Sequence, residues 1–226
     1  SYTSAKEPVR WGASQTKFLG IGVIVTGIFE KRTEIILNSA ILAMEGAPVK
    51  AIVEDVFQIP CYVDNESNLC AISVQQQRPD MSDFLYMHIS QGVGIGIIAN
   101  GMLLSGYDGY AAEIAHLPFG NPKRRCAVCN NYGCIEPELS GLLHDNGIWK
   151  GTSASDEEQW GQMVREIQSG NPAYAEFLRE KGELIGKVLF VLIDLFNPQQ
   201  VFMALQGAAG AVDYSVSGIL AGEWEW

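Results

Sequence analysis

Three of the chain's five cysteines lie close together, and a histidine precedes them. Cys126, Cys129 and Cys134 fall within nine residues, and His116 stands ten positions before the first of them. One imidazole and three thiolates are the ligand set that favours a structural zinc ion with four tetrahedral ligands. The residue types and their spacing therefore predict a metal clamp that holds Zn²⁺ through His116, Cys126, Cys129 and Cys134.

Two other interpretations of these thiols remain open. The pair Cys126-x-x-Cys129 could be a dithiol redox pair, although such pairs usually begin a helix beside a strand. Here the flanking residues 123–125 are basic, and no apolar strand leads in. The three cysteines could also be unrelated buried thiols, although buried cysteines seldom cluster in so polar a segment. The turn-forming run 130–133, Asn-Asn-Tyr-Gly, before the third thiol suits a clamp closed around a metal.

Two carboxylates flank the predicted clamp. Glu113 precedes the histidine, and Glu136 follows the last cysteine by two positions. A bound metal would order this loop, which has little apolar content of its own, and would fix both carboxylates with it. Without a clamp, both would be ordinary surface charges.

The composition restricts the class of protein. The formal net charge is −11, so the chain itself should repel nucleic acid. An odd number of cysteines, with three assigned to a metal, argues against disulfides and for a reducing compartment. The longest apolar run, 188–196, contains Asp194 and is too short to span a bilayer. We therefore expect a soluble cytoplasmic protein that has no membrane partner.

Predicted strands and helices alternate along the chain. Apolar, β-branched runs predict strands at residues 18–26, 61–63, 84–89, 95–99, 102–104 and 201–205, with a further short run at 34–37. Helical spacing predicts helices at 48–57, 67–76, 156–168 and 173–196. The first strand has the pattern of one buried on both faces, and Asn100-Gly101 indicates a hairpin turn. This order predicts an α/β protein with a mixed sheet.

The segment around the clamp resembles the ROK family of repressors, open reading frames and sugar kinases. The family's pattern is E-x-G-H, ten residues, C-x-C-G-x-x-G-C-x-E, and then S-G. This chain has GYAAEIAH at 109–116, CAVCNNYGCIE at 126–136 and Ser140-Gly141. Further likenesses to the family are LGIGVIVTG at 19–27, VDNESN at 63–68, GVGIGIIANG at 92–101 and LIDLFNPQQVFMAL at 192–205.

The resemblance implies an actin-like (ribonuclease H-like) ATPase fold, in which two α/β domains flank a sugar cleft. Residues 1–65 would be the remnant of the smaller N-terminal domain. Residues 66–226 would form the larger domain, with the metal loop and a truncated C-terminus. By matching position, the sugar hydroxyls would be bound by Asn65, Glu66, Glu113, His116 and Glu136. His116 would give one ring nitrogen to zinc and its other side to the sugar.

Several positions depart from the family's kinases. Glu66 stands where those kinases have an Asp as general base. Gly92, Gly94 and Gly96 match the family's phosphate loop, but Val93 replaces the Thr of that loop. A carboxylate misplaced by ~1 Å can lower a rate about 100-fold. The chain has no Asp-x-Gly-x-Thr phosphate loop, and a Gly-Gly pair is replaced at 206–208. Because phosphoryl transfer depends on positioning and electrostatics, these changes argue against kinase activity.

Two smaller departures lie near the clamp. The first thiol pair is C-x-x-C rather than C-x-C, and Ala115 stands where glycine is usual.

The resemblance thus implies the sugar-sensing, dimerising part of a ROK-type transcriptional regulator of the xylose or N-acetylglucosamine repressor kind. A sugar would close the cleft and change the spacing of winged helix-turn-helix domains in a homodimer or tetramer. DNA would be bound only through that domain, which is absent from this chain. The alternative is an ATP-dependent hexose or N-acetylhexosamine kinase that uses Glu66 and Mg²⁺, and the departures from the family's kinases argue against this enzymatic activity. A degenerate member with only a structural role is a third possibility.

Overall fold

The computed structural model describes residues 18–39, 42–90, 92–140 and 156–205. Within them the chain forms two compact units. The first contains the residues up to Leu69 together with Ser105–Ala111, and the second contains Cys70–Leu104 and the residues from Ala112 onward. The placement of the domain boundary between residues 65 and 66 stays a prediction.

The first unit contains two small sheets. One pairs two parallel strands, β1 (Ile21–Val25) and β5 (Cys61–Asn65). The other is antiparallel and has the order β2 (Ile28–Glu30), β3 (Ile35–Ser39), β4 (Met44–Ala47). Helix α1 (Val49–Phe57) begins one residue after the predicted start at Pro48, which is its N-cap. The buried side chains of Val25, Phe29 and Ile36 form the core of this unit.

The prediction that the first strand is buried on both faces is wrong. Within β1 only Val25 is buried, and Ile24 is 63% exposed. Tyr62 on the paired strand is 70% exposed. Side chains alternate between the two faces of a strand, and the described core of this unit packs on one of them.

Strand β4 was not predicted from the sequence. Its residues Met-Glu-Gly-Ala include no β-branched side chain, and Gly46 has a φ of 62°. The strand exists because it pairs with β3, with Ala47 opposite Ile36. Pairing with β3 therefore determined the strand conformation of this segment, which its intrinsic β-propensity does not predict.

A four-stranded mixed sheet is the centre of the second unit, which confirms the predicted sheet type. Its order is β8 (Met102–Leu103), β7 (Val93–Ala99), β6 (Phe84–Ile89), β9 (Gln200–Leu205). Strand β6 runs antiparallel to β7 and parallel to β9. Asn100 and Gly101 have φ values of 52° and 73°, which confirms the predicted hairpin turn between β7 and β8.

The remaining helices are α2 (Glu66–Gln77), α3 (Glu136–Leu139), α4 (Asp156–Gln168) and α5 (Pro172–Phe196). The side chain of Asn171 caps α5 by accepting a hydrogen bond from the Ala173 amide, and Asn197 ends the helix in the left-handed conformation. Val188, Leu189 and other α5 side chains pack on the apolar face of the sheet. No helix within the described ranges is long and apolar enough to cross a membrane.

The sheet and α5 together position two short elements. A single 3₁₀ turn spans Ile114–His116, and its Ile114 joins the core of the second unit. Helix α3 starts at Glu136 and buries Leu139 in the same core. These two apolar anchors place His116 at the end of the 3₁₀ turn and Glu136 at the start of α3, both next to the core.

A glycine substitution tests the packing of the first unit. Gly27 has a φ of 89°, and a β carbon there would lie 2.3 Å from the carbonyl oxygen of Asn38. We expect Gly27→Ala to lower the free energy of unfolding by roughly 2 kcal/mol or more, because both the conformation and the space exclude a side chain. Urea unfolding would measure the change.

The matched control is Gly46→Ala. Gly46 also has a positive φ, but a β carbon there meets no atom within 4 Å. Gly46→Ala should lower the free energy of unfolding by about 1 kcal/mol, which is the cost of the left-handed conformation alone. Equal losses at Gly27 and Gly46 would contradict the assigned steric contact.

Candidate metal centre and adjacent carboxylates

A short hairpin brings the three cysteines back to the histidine. We call residues 117–135 the metal loop. Its backbone is closed by hydrogen bonds from Gly120 N to Gly133 O (2.8 Å) and from Cys126 N to Asn131 O (2.8 Å). Asn130 and Gly133 have φ values of 62° and 80°, so the run 130–133 makes the turn that its composition predicted. Cys134 thereby returns to Cys129.

The four predicted metal ligands form a cluster. The ligand atoms of His116, Cys126, Cys129 and Cys134 all lie within 4.8 Å of one another. His116 Nδ1 is 3.8 Å from Cys126 Sγ, and the sulfur atoms of Cys129 and Cys134 are 3.4 Å apart. Cys126 and Cys134 are buried, whereas Cys129 is partly exposed. The structure therefore brings together the four side chains that the sequence singled out, and their role as metal ligands stays a prediction.

The chemistry of the cluster fits a divalent cation. Burial lowers the pKa of His116, which favours the neutral imidazole that binds metals. Burial and the neighbouring thiols raise the pKa of Cys134 to about 12. Three thiolates can share this site only if a cation offsets their charge, and a bound metal deprotonates its thiol ligands. Three sulfur atoms and one nitrogen are the donors of a closed structural zinc site.

The structure disfavours the redox interpretation of Cys126 and Cys129. Both residues lie in a turn and not in the first turn of a helix, where reactive Cys-x-x-Cys pairs are found.

Two half-buried carboxylates lie in the same unit as the cluster. Glu113 directly precedes the 3₁₀ turn that ends at His116, and Glu136 is the first residue of α3. Burial, and then the charge of Glu136, raises the pKa of Glu113 to about 7. Burial also raises the pKa of Glu136, and the Val93 amide opposes that change by donating to Glu136 Oε2 at 3.2 Å. Such a carboxylate pair can accept hydrogen bonds from ligand hydroxyl groups.

The backbone is strained next to Glu113. Ala112 has a φ of 70°, a left-handed conformation that costs an alanine about 1–2 kcal/mol. Strain of this kind persists only where the surrounding packing holds the backbone in place, and it is often found at functional positions.

Asn65 and Glu66 belong to the first unit. Asn65 Oδ1 accepts a hydrogen bond from the Ser67 amide (2.8 Å), and its Nδ2 donates to Gly27 O (2.8 Å). An amide side chain has two N–H groups and two acceptor lone pairs, so these bonds leave capacity for a hydroxyl group. Glu66 is the first residue of α2, where the helix dipole favours a carboxylate. Their predicted roles in binding sugar stay predictions.

The glycine hairpin contributes a backbone group that sequence reasoning missed. Gly92 directly precedes β7, Gly94 and Gly96 lie within it, and the side chain of Val93 is buried in the core. The Val93 amide is the group that orients Glu136. No side-chain pattern could reveal a backbone donor, and only the glycine-rich context marked the segment. The departure at residues 206–208 lies outside the described residues.

Comparison with known proteins identifies the family. The model of the ROK family matches residues 10–219, so the chain belongs to that family. The chain is 28% identical to the xylose repressor of Caldicellulosiruptor bescii over 198 residues, which cover 82% of this chain and 49% of that protein. It is 23% identical to the N-acetylglucosamine repressor of Escherichia coli O157:H7 over 197 residues, which cover 83% and 48%.

A solved structure shows the same fold. A ROK family glucokinase from Streptomyces griseus, in complex with glucose and AMPPNP, superposes with a TM-score of 0.67. Its sequence identity is 20%, and the match covers 84% of this chain and 66% of the glucokinase. The α/β fold is therefore actin-like, as predicted. The chain spans about half the length of the curated relatives that it matches.

The raised pKa of Glu113 predicts a pH dependence of stability. Its folded-state pKa of about 7 exceeds the ordinary value of 4.5, so the folded protein holds the proton more tightly. The associated stability is present in full below pH 4.5 and is lost as the pH rises to about 7. Between these limits we expect the free energy of unfolding of the wild type to fall by about 2–3 kcal/mol relative to that of Glu113→Gln.

Denaturant unfolding of both proteins from pH 4.5 to pH 8, at constant zinc concentration, would measure this difference. Subtracting the two curves removes the contribution of the thiols, which both proteins share. Parallel curves would contradict the raised pKa.

Proposed function

We propose that this chain is the sugar-sensing part of a ROK-family transcriptional regulator and that Zn²⁺ organises its sugar site. One observation supports the proposal most strongly. Four metal-ligand atoms lie within 4.8 Å of one another, and His116 among them is three residues from Glu113. Glu136 follows the last cysteine ligand and is held by a backbone donor.

The chemistry of the site suits a polyhydroxylated ligand. Glu113 and Glu136 would accept hydrogen bonds from sugar hydroxyls. The family resemblance also assigns sugar-binding roles to Asn65 and Glu66, and these roles stay predictions. His116 Nδ1 is the ring nitrogen beside Cys126 Sγ, so Nδ1 would bind the metal and Nε2 would serve a hydroxyl group. A bound zinc ion would act as a scaffold for the imidazole and the metal loop.

Two internal positions favour a sensor over a kinase. The buried Val93 side chain offers no hydroxyl to a phosphate, and its amide is already used by Glu136. Glu66 is longer by one methylene than the aspartate of the family's kinases. The kinase alternative, with Glu66 as general base and ATP/Mg²⁺ as cofactor, draws support from the fold shared with the glucokinase.

The names of the relatives point in the same direction. The matched proteins include a xylose repressor and an N-acetylglucosamine repressor, each about twice as long as the matched segment. In the whole protein a DNA-binding domain would lie outside this chain, and a homodimer or tetramer would convert sugar binding into a change in operator affinity. The acidic charge of the chain suits a cytoplasmic sensing module that does not itself bind DNA.

Sugar binding without phosphoryl transfer tests the proposal. In zinc-containing buffer, D-xylose, N-acetyl-D-glucosamine or D-glucose should raise the melting temperature, because a ligand that binds only the folded state stabilises it. The same sugar with ATP and Mg²⁺ should give no ADP in a coupled assay. Sustained ADP production would establish the kinase alternative, and the absence of any sugar effect would contradict both.

Removal of one thiol tests the role of the metal. We expect Cys129→Ser to lose bound zinc, measured by elemental analysis, and to lose the sugar-induced rise in melting temperature with it. Cys70→Ser is the matched control, because Cys70 lies in α2, outside the cluster. It should keep both properties. A sugar response that persists in metal-free Cys129→Ser would show that the metal does not support the site.

A further inference from the structure

The carboxylate of Glu138 joins three parts of the second unit. Glu138 lies in α3, two residues after Glu136, and its side chain is only 15% exposed. Its Oε1 accepts a hydrogen bond from the Asn121 amide at 3.4 Å. Its Oε2 lies 3.4 Å from Arg124 Nη1 and 3.8 Å from Lys181 Nζ. Asn121 and Arg124 belong to the metal loop, whereas Lys181 belongs to α5.

Lys181 is itself fixed in place. Its side chain is 13% exposed, and its ammonium group lies 5.4 Å from the centre of the Phe177 ring, a cation–π distance. Burial lowers the pKa of Lys181, and the charge of Glu138 opposes that change. The buried ammonium group of Lys181 needs a partner of opposite charge, because an uncompensated buried charge is costly. Glu138 therefore links the metal loop to the helix that packs on the central sheet.

The metal loop passes very close to α3 at this point. A β carbon at Gly120 would lie 2.4 Å from Cys134 O and 2.9 Å from Glu138 Cγ. Helix α3 contains only four residues, too few to hold their own orientation without external contacts. Its orientation depends on Cys134 before it, on Leu139 in the core and on the charge contacts of Glu138.

We propose that Glu138 and Lys181 are positioning residues for the candidate sugar site, because their ion pair fixes the short helix from which Glu136 projects. This inference rests on the proposed function. Glu138 would not contact the sugar. It would hold α3 at the angle at which the Glu136 carboxylate meets both the Val93 amide and a ligand hydroxyl. A bound metal would constrain Glu136 through Cys134, two residues before it, and the ion pair would constrain it through Glu138, two residues after it.

Calorimetric titration of the zinc-loaded full chain tests the proposal, with D-xylose, N-acetyl-D-glucosamine and D-glucose as probes. Glu138→Gln should keep stoichiometric zinc but weaken the wild-type sugar affinity about ten-fold, a typical effect of losing a group that orients a ligand. Lys181→Met should give a similar loss, and Lys181→Arg should restore most of the affinity because it keeps the cation.

A double-mutant cycle separates positioning from general stability. If Glu138 acts through Glu136, then Glu136→Gln combined with Glu138→Gln should bind sugar no more weakly than Glu136→Gln alone. The matched control is Glu176→Gln, which breaks the exposed pair with Arg179 on α5 and should leave the affinity unchanged.

Three outcomes would overturn the proposal. Sugar affinity within twofold of wild type in both Glu138→Gln and Lys181→Met would make the ion pair irrelevant to binding. Additive losses in the double-mutant cycle would show that Glu138 does not act through Glu136. Loss of zinc from Glu138→Gln would place its role in the metal loop instead. Failure of the zinc-loaded wild type to bind any probe would instead refute the proposed function.

Discussion

The candidate site of the second unit depends on one electrostatic constraint, the convergence of three thiols on one imidazole. Their ligand atoms lie within 4.8 Å of one another, and two of the thiols are buried. Deprotonated sulfur atoms repel each other at such distances, so this geometry is stable only with protons or a cation between them. The metal loop is also held by its backbone hydrogen bonds, by Ile135 in the core and by the contact between Arg124 and Glu138.

The surrounding elements convert this local constraint into a defined site. His116 ends a 3₁₀ turn that is anchored in the core. Glu136 is the first residue of α3 and follows Cys134 by two positions. The β6–β7 hairpin supplies the Val93 amide, and α5 supplies the Lys181 cation. The Val93 amide acts on Glu136 and the Lys181 cation acts on Glu138, so two carboxylates of α3 are held by distant segments of the chain.

Much of the fold and of the candidate site could be predicted from the sequence. Strand β6, helix α5 and the Asn100-Gly101 turn were predicted because their local patterns agree with their final environments. Strand β4 and the exposure of Ile24 were not, because both depend on which partners a strand acquires. The links from Val93 to Glu136 and from Lys181 to Glu138 span 43 residues in both cases and leave no local signal.

The sequence by itself determined which side chains form the candidate metal cluster, because residue type and short spacing are enough to specify three thiols, an imidazole and a turn between them. It also determined the family, through motifs spread over most of the chain. Only the tertiary structure decided the pKa of Glu113 and the orientation of Glu136. The raised pKa of Glu113 and the orientation of Glu136 arise from burial and from distant backbone and side-chain partners, which exist only after the chain has packed.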